Sequence, residues 1–375
     1  MSANEFDEVP PEGRTPPGVA PDWWIYRGTG RPLHDIHLAD LLPPPPPWRN
    51  FRGGPLPERE APPDDDGDAE RRLGAEFHLT ERDVNPVEVD MVNAALYLRR
   101  PLLVTGRPGT GKSALAYRIA RELRLGRVLR WAVTSHTGLE SGLYRYDAIG
   151  RVQAAATRHA AAARNVDGFP SNGSPDAGGE PPIGEFIRLG PLGTAFLPGR
   201  SPRVLLIDEL DKSEADLPND LLSIFEDAEF AIPELERVRA GSPEVTVYTD
   251  DPHGEATVVD GRVACHAFPM IVITSNGERE FPPAFLRRCL RLEMQDPGIE
   301  QLAAMVANHM LDQDGTHRDR LIQEFVARSA AGEGLPVDRL LEAVYLATSG
   351  AYREDDDLAW PRLVDALWRR LSLAP

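Results

Sequence analysis

The decapeptide GRPGTGKSAL (106–115) is the stretch from which the rest of the chain can be read. It satisfies the pattern G-x-x-x-x-G-K-[ST] with Gly106, Gly111, Lys112 and Ser113. Its flanks matter as much as its letters. A short apolar run, PLLVT (101–105), ends directly at the first glycine, and KSALAYRIARELRLG (112–126) has the spacing of an amphipathic helix closed by a glycine. Strand, glycine-rich turn and helix in that order make a cradle for a triphosphate. The glycines let backbone N–H groups turn inward, and the helix N-terminus adds its partial positive charge. The expected nucleotide-binding set is Gly106, Arg107, Pro108, Gly109, Thr110, Gly111, Lys112, Ser113 and Ala114, with ATP as the nucleotide and the Ser113 hydroxyl as a ligand of Mg2+. Of the 41 Lys+Arg residues only Lys112 and Lys212 are lysine. At position 112 a compact ammonium on a flexible stem reaches between phosphates where a planar guanidinium fits poorly.

Lys212 lies in a second informative stretch, VLLIDELDKS (204–213). This reads as a buried strand ending in two acids. Asp208 is the expected partner of Mg2+, and Glu209 the group that polarises the attacking water. Carboxylates at the C-terminal end of a parallel strand lie on the ligand edge of the sheet. Lys212 sits just beyond, toward nucleotide, a neighbouring subunit or Asp211. A third run, FPMIVITSN (268–276), ends in Ser275 and Asn276, whose amide can sense the γ-phosphate. A dozen residues on, PPAFLRRCLRL (282–292) carries Arg287 and Arg288 before another strand.

Strand candidates separated by helical stretches predict an α/β fold with a parallel sheet between helices. Two insertions interrupt it: a flexible loop, NVDGFPSNGSPDAGGEPP (165–182), and EVTVYTDDPHGEATVVDGRVACHAF (244–268), which alternates around turn signals like a β-hairpin. The segment GLYRYDAIG (142–150) offers Tyr144, Arg145 and Tyr146 either to grip a polypeptide or to pack internally. Beyond Pro297 the pattern is helical, in about four segments. Residues 1–75 read as a proline-rich, largely disordered tail containing Pro43 to Pro47, and removing them is expected to leave ATPase activity intact. Within the tail, DWWIYRGTGRP (22–32) is either a docking motif for a partner or an arm that folds back on the body. The expected organisation is a tail (1–75), a nucleotide-binding α/β domain (76–296) and a helical lid (297–375).

A chain of 375 residues with 41% apolar content can bury a large core. Its formal charge of −18 argues against life on bulk nucleic acid or anionic membrane. Two cysteines without metal spacing, an acidic proline-rich start and the lack of a long apolar run lead to the expectation of a soluble cytoplasmic protein.

Phosphate loop, Asp-Glu strand, Asn-ended strand and paired arginines follow one another as in the AAA+ ATPases. From position 77 onward the chain resembles their MoxR group. EFIRLGPLGTAFLPGRSPRVLLIDELDKSEADLPNDLLSIFEDAEFAIPE (185–234) carries the likeness, with Phe186, Gly190 and Pro191 before the Asp-Glu strand. The resemblance implies five parallel strands, a helical lid and a homo-oligomeric, hexameric ring. It implies Asn276 as first sensor, Arg288 as an arginine finger acting on a neighbouring subunit, with Arg287 the alternative, and Arg339 as second sensor. Asp338 stands directly before that arginine, where the family more often has a small residue and proline. The implied partners are further copies of the chain and a client with a von Willebrand factor A domain, while the charge argues against membrane and against nucleic acid. A nucleotide-dependent switch or scaffold, and a nucleic-acid motor or loader, are the alternatives.

Overall fold

The computed structural model describes residues 21–34, 37–56, 67–73, 84–165, 181–295, 302, 306, 315–328, 337–348 and 359–368. Five short strands form the central sheet: β1 (Leu102–Thr105), β2 (Leu129–Ala132), β5 (Val204–Asp208), β10 (Met270–Ser275) and β11 (Leu290–Glu293). All neighbours are parallel, in the order β11-β1-β10-β5-β2. The alternation of side chains explains why the three inner runs, β1, β5 and β10, are continuously apolar. Leu102, Val104, Val204, Leu206, Met270 and Val272 face one core, whereas Leu103, Leu205, Ile207, Ile271 and Ile273 face the other.

The first core lies beneath the helices Pro86–Leu98 and Lys112–Glu122, through Val89, Val92 and Leu96 of the one and Leu115 and Ile119 of the other. The second core is shared with a six-stranded sheet made by β3 (Tyr144–Tyr146), β4 (Ile187–Leu189), β6 (Glu229–Ala231), β7 (Glu244–Tyr248), β8 (Glu255–Val259) and β9 (Arg262–Ala264), in the order β3-β4-β7-β8-β9-β6. The β7–β8 pair is the expected antiparallel hairpin. The two-residue turn Asp260–Gly261 returns the chain into β9, with both φ angles positive. Tyr144 and Tyr146 pack against this second core, and the Tyr144 hydroxyl donates to Glu234 at 2.9 Å. Of the two readings of 142–150, packing describes these tyrosines.

Three C-terminal helices, Gly315–Arg328, Val337–Thr348 and Ala359–Leu367, contribute to a separate core with Leu321, Phe325, Leu340, Val344 and Trp368. The loop around Asn172, residues 1–20 and residues 57–66 lie outside the described residues.

The expectation of a disordered tail is corrected where the tail is described. Residues 21–34 fold back as an arm. Tyr26 is fully buried in the first core. Its backbone N–H and that of Ile25 both donate to Asn93 Oδ1, at 2.9 and 2.8 Å, and Trp24 Nε1 donates to Asp90 at 2.8 Å. The Glu122 carboxylate accepts N–H groups from Arg27, Gly28 and Gly30. Farther on, the Arg49 guanidinium donates to the carbonyls of Arg99 and Phe225 and lies 4.5 Å from the Phe268 ring centre. The physical reason is composition at single positions. The aromatic side chains and the unpaired backbone of 25–30 find partners on two helices of the core, and that outweighs the proline content around them.

Candidate functional site

The register of the sheet sets the site. Thr105 of β1 is level with Ser275 of β10, and Ala132 of β2 with Asp208 of β5, so the strands end together. The chain leaves β1 into the glycine loop. Gly106 has φ 146°, and a Cβ there would lie 2.7 Å from the Met294 carbonyl at the end of β11, so a side chain is excluded. Gly111, at φ 84°, starts the helix Lys112–Glu122, and the space around its missing Cβ is open. Lys112 Nζ donates to the loop's own carbonyls at Gly106 and Arg107, at 2.8 and 2.7 Å. Burial pushes its ammonium pKa down, against the pull of Asp211, Glu209 and Asp208.

The Asp208 carboxylate joins three elements. Its Oδ1 accepts the hydroxyls of Ser113 at 2.7 Å and Thr274 at 2.9 Å, and its Oδ2 accepts Arg130 Nε and Nη2 at 3.0 and 2.7 Å. Burial acts to raise its pKa, but the bonds from Ser113, Arg130 and Thr274 outweigh it and hold the group below the ordinary carboxylate range.

Glu209 has a left-handed backbone at φ 61°, an uncommon conformation for a residue with a side chain. It is fixed by its N–H, which donates to Thr274 Oγ1 at 2.8 Å. Its carboxylate contacts Lys212 Nζ at 2.7 Å and Asn276 Nδ2 at 3.4 Å. The second lysine therefore meets Glu209 and not Asp211. Asp211 instead ties down the loop after β10, accepting N–H groups from Asn276 at 2.8 Å and Glu278 at 3.0 Å.

The structure thus brings Lys112, Ser113, Asp208, Glu209 and Asn276 together. The loop residues 106–111 surround Lys112, whereas Arg287, Arg288 and Arg339 make their contacts elsewhere. Arg288 Nε pairs with Glu226 of the helix Leu217–Asp227. The backbone carbonyls of Arg287 and Arg288 accept from Arg100. Arg339 pairs with Glu342 at 2.9 Å on its own helix, Val337–Thr348. Sequence reasoning missed Arg130 and Thr274. The available signal was weak: an arginine inside an apolar run, RVLRWAVTS, and a threonine near the end of another.

Loop, hydroxyl and carboxylate suit a magnesium-bound nucleoside triphosphate. Ser113 and Asp208 offer hard oxygen ligands 2.7 Å apart beside an open glycine turn and a buried lysine. No curated protein sequence matches the chain. A similar solved structure is that of NtrX from Brucella abortus in complex with ADP, with a TM-score of 0.33 and 14% identity. The match covers 69% of this chain and 50% of that one, so this chain accounts for about half of its length. The family model of the AAA domain (dynein-related subfamily) matches residues 101–289, which span half of the chain and run from the start of β1 to the paired arginines, and the chain belongs to this family of AAA+ P-loop ATPases.

Proposed function

We propose that the chain hydrolyses ATP to ADP and phosphate as a subunit of a MoxR-like ring, a hexamer, and uses the reaction to remodel a partner protein. The observation that carries this reading is the direct bond between Ser113 and Asp208, with Glu209 and Asn276 in contact beside it. Mg2+ bound with ATP would draw on Ser113 and Asp208 and neutralise charge on the phosphates. Lys112 and the backbone N–H groups of the loop 106–114, all but Pro108, hold the phosphate oxygens. Glu209 takes the proton of the attacking water, and Asn276 orients that water through its amide. Arg288 acts on a neighbouring subunit's nucleotide, with Arg287 the alternative.

Hydrolysis then changes the angle between the nucleotide-binding domain (76–296) and the lid (297–375), with Arg339 as the lid's contact to nucleotide. The MoxR resemblance supports a client with a von Willebrand factor A domain, and the net charge of −18 suits the metal-dependent, acid-binding face of such a domain. The Lys212–Glu209 ion pair favours a second reading, a switch with slow turnover, because it occupies the group assigned as base.

Glu209→Gln tests the assignment. This variant should retain ATP uncleaved while assembling normally, with turnover down by at least about 10²-fold in a phosphate-release assay. Turnover near wild type would remove Glu209 from the mechanism. The same variant, held in ATP, is the bait for capturing the client, and the wild-type rate separates the two readings.

A further inference from the structure

We infer that Arg130 is the positioning residue of Asp208, and that its charge keeps bare divalent metal out of the site until a nucleotide brings the metal in. The inference rests on the reading of Ser113 and Asp208 as the metal side of the nucleotide site. Arg130 lies on β2, at the edge of the central sheet beside β5. In register it stands opposite Leu206, two residues before Asp208, so its side chain reaches diagonally to the strand end.

The Asp208 side chain is 8% exposed and its two oxygens are divided between neighbours. Oδ1 belongs to the Ser113 and Thr274 hydroxyls, and Oδ2 to the two N–H groups of Arg130. Among these partners only Arg130 carries a charge. The two hydroxyls and the guanidinium together keep this buried carboxylate ionised, and of the three Arg130 adds the balancing charge and fixes the orientation of Oδ2. Burial opposes the charge of Arg130 itself, but Asp208, Tyr117 and Asp68 hold its pKa above the ordinary value. Tyr117 and Asp68 are themselves bonded at 2.7 Å, and Arg72 lies 4.9 Å from the Tyr117 ring centre. These groups add their charge and dipole near the guanidinium, whose side chain is 40% exposed and whose direct bonds are the two to Asp208.

Two consequences follow for metal. A dication arriving alone meets a guanidinium already bonded to Asp208, and like charges a few ångströms apart repel. A dication arriving on a triphosphate is accompanied by several negative charges, which offset that repulsion. Arg130 touches neither phosphate nor metal in this scheme and acts through Asp208.

The test is a titration of the nucleotide-free, full-length protein with Mn2+, read by electron paramagnetic resonance. Arg130→Gln should bind bare Mn2+ more tightly than wild type by about tenfold. Arg130→Lys keeps the charge but loses the two-pronged contact, so its gain should be about threefold. The gain should vanish when Arg130→Gln is combined with Asp208→Asn. If both single variants bind bare Mn2+ as wild type does, the inference is overturned, even if their thermal stability falls, because a merely structural arginine predicts that pattern. Binding of Mn2+ with ATP to wild type is measured alongside. Failure there would remove the nucleotide reading itself, whereas normal binding with unchanged bare-metal affinity in the variants would remove Arg130 alone.

Discussion

At one edge of the sheet Asp208 meets Arg130 across a strand pair and Glu209 meets Lys212 within a single turn, while Lys112, bonded to its own loop, lies in the field of Asp208, Glu209 and Asp211. The same logic extends to Asp68 on the far side of Tyr117. Burial acts to raise its pKa, but the Tyr117 hydroxyl, Arg71 and Arg72 outweigh that and lower it from 3.8 to about 2. A depressed folded-state pKa gives stability that is present above the ordinary value and is lost as pH falls toward the folded one. Asp68→Asn should therefore be less stable than wild type at pH 6 by about 1 kcal/mol, a figure already reduced for solvent screening at this partly exposed position. The gap should close between pH 4 and 2 in urea unfolding, and a gap that persists at pH 2 would contradict the ion-pair account. At this scale the sequence was legible where chemistry and spacing are local. Lys112, Ser113, Asp208 and Glu209 each sit at a fixed offset from the end of a buried strand. Arg130 was not legible, because its meaning depends on a carboxylate 78 positions away across a strand pair.

Asn93 joins two segments that the sequence keeps far apart. It lies on the helix Pro86–Leu98 and is fully buried. Its Oδ1 accepts from Ile25 and Tyr26, and its Nδ2 donates to the Tyr26 and Val89 carbonyls. The side-chain amide therefore replaces the strand partner that the arm lacks. Asn93→Ala would leave buried backbone groups of the arm unpaired, at about 1–3 kcal/mol for each group left without water or a partner. The expected result is a drop of about 2–4 kcal/mol in chemical unfolding together with faster amide exchange at Ile25 and Tyr26. Unchanged exchange at those two amides would show that the arm is held by its other contacts alone. Deleting 1–75 would remove the buried Tyr26, uncover Val89 and strip Asn93 and Glu122 of their partners, so the expected indifference of the core to that deletion no longer follows. The three inner strands β1, β5 and β10 were readable as apolar runs because both of their faces are buried, whereas the edge strands β2 and β11 alternate buried and exposed residues. The three-residue strands β3, β4, β6 and β9 are too short to display a period, and only pairing defines them.

The whole molecule leaves Arg288 without a task at its own phosphate loop. Its guanidinium rests on Glu226 and the Ala284 carbonyl, and Arg100 fixes the backbone on either side of the Arg287–Arg288 peptide bond. With its side chain 40% exposed, it can leave Glu226 for a stronger anion at small expense, since exposed pairs contribute only about 0–1 kcal/mol. A phosphate presented by a second copy is such an anion, and in nucleotide hydrolases an arginine supplied this way accelerates cleavage by roughly 10³–10⁵-fold. Arg288→Ala and Glu209→Gln subunits should each be inactive alone. Mixed, they form interfaces in which an intact Glu209 on one copy faces an intact Arg288 on the next. At equal amounts about a quarter of the sites in a closed ring should have both groups, and activity should return in that proportion. Combining both substitutions in one chain should abolish the rescue, because no interface then regains the pair. Repeating the mixture with Arg287→Ala decides between the adjacent arginines. If mixed assemblies form by size-exclusion chromatography yet stay inactive at every ratio, Arg288 serves its own chain, through Glu226, as an anchor between two helices.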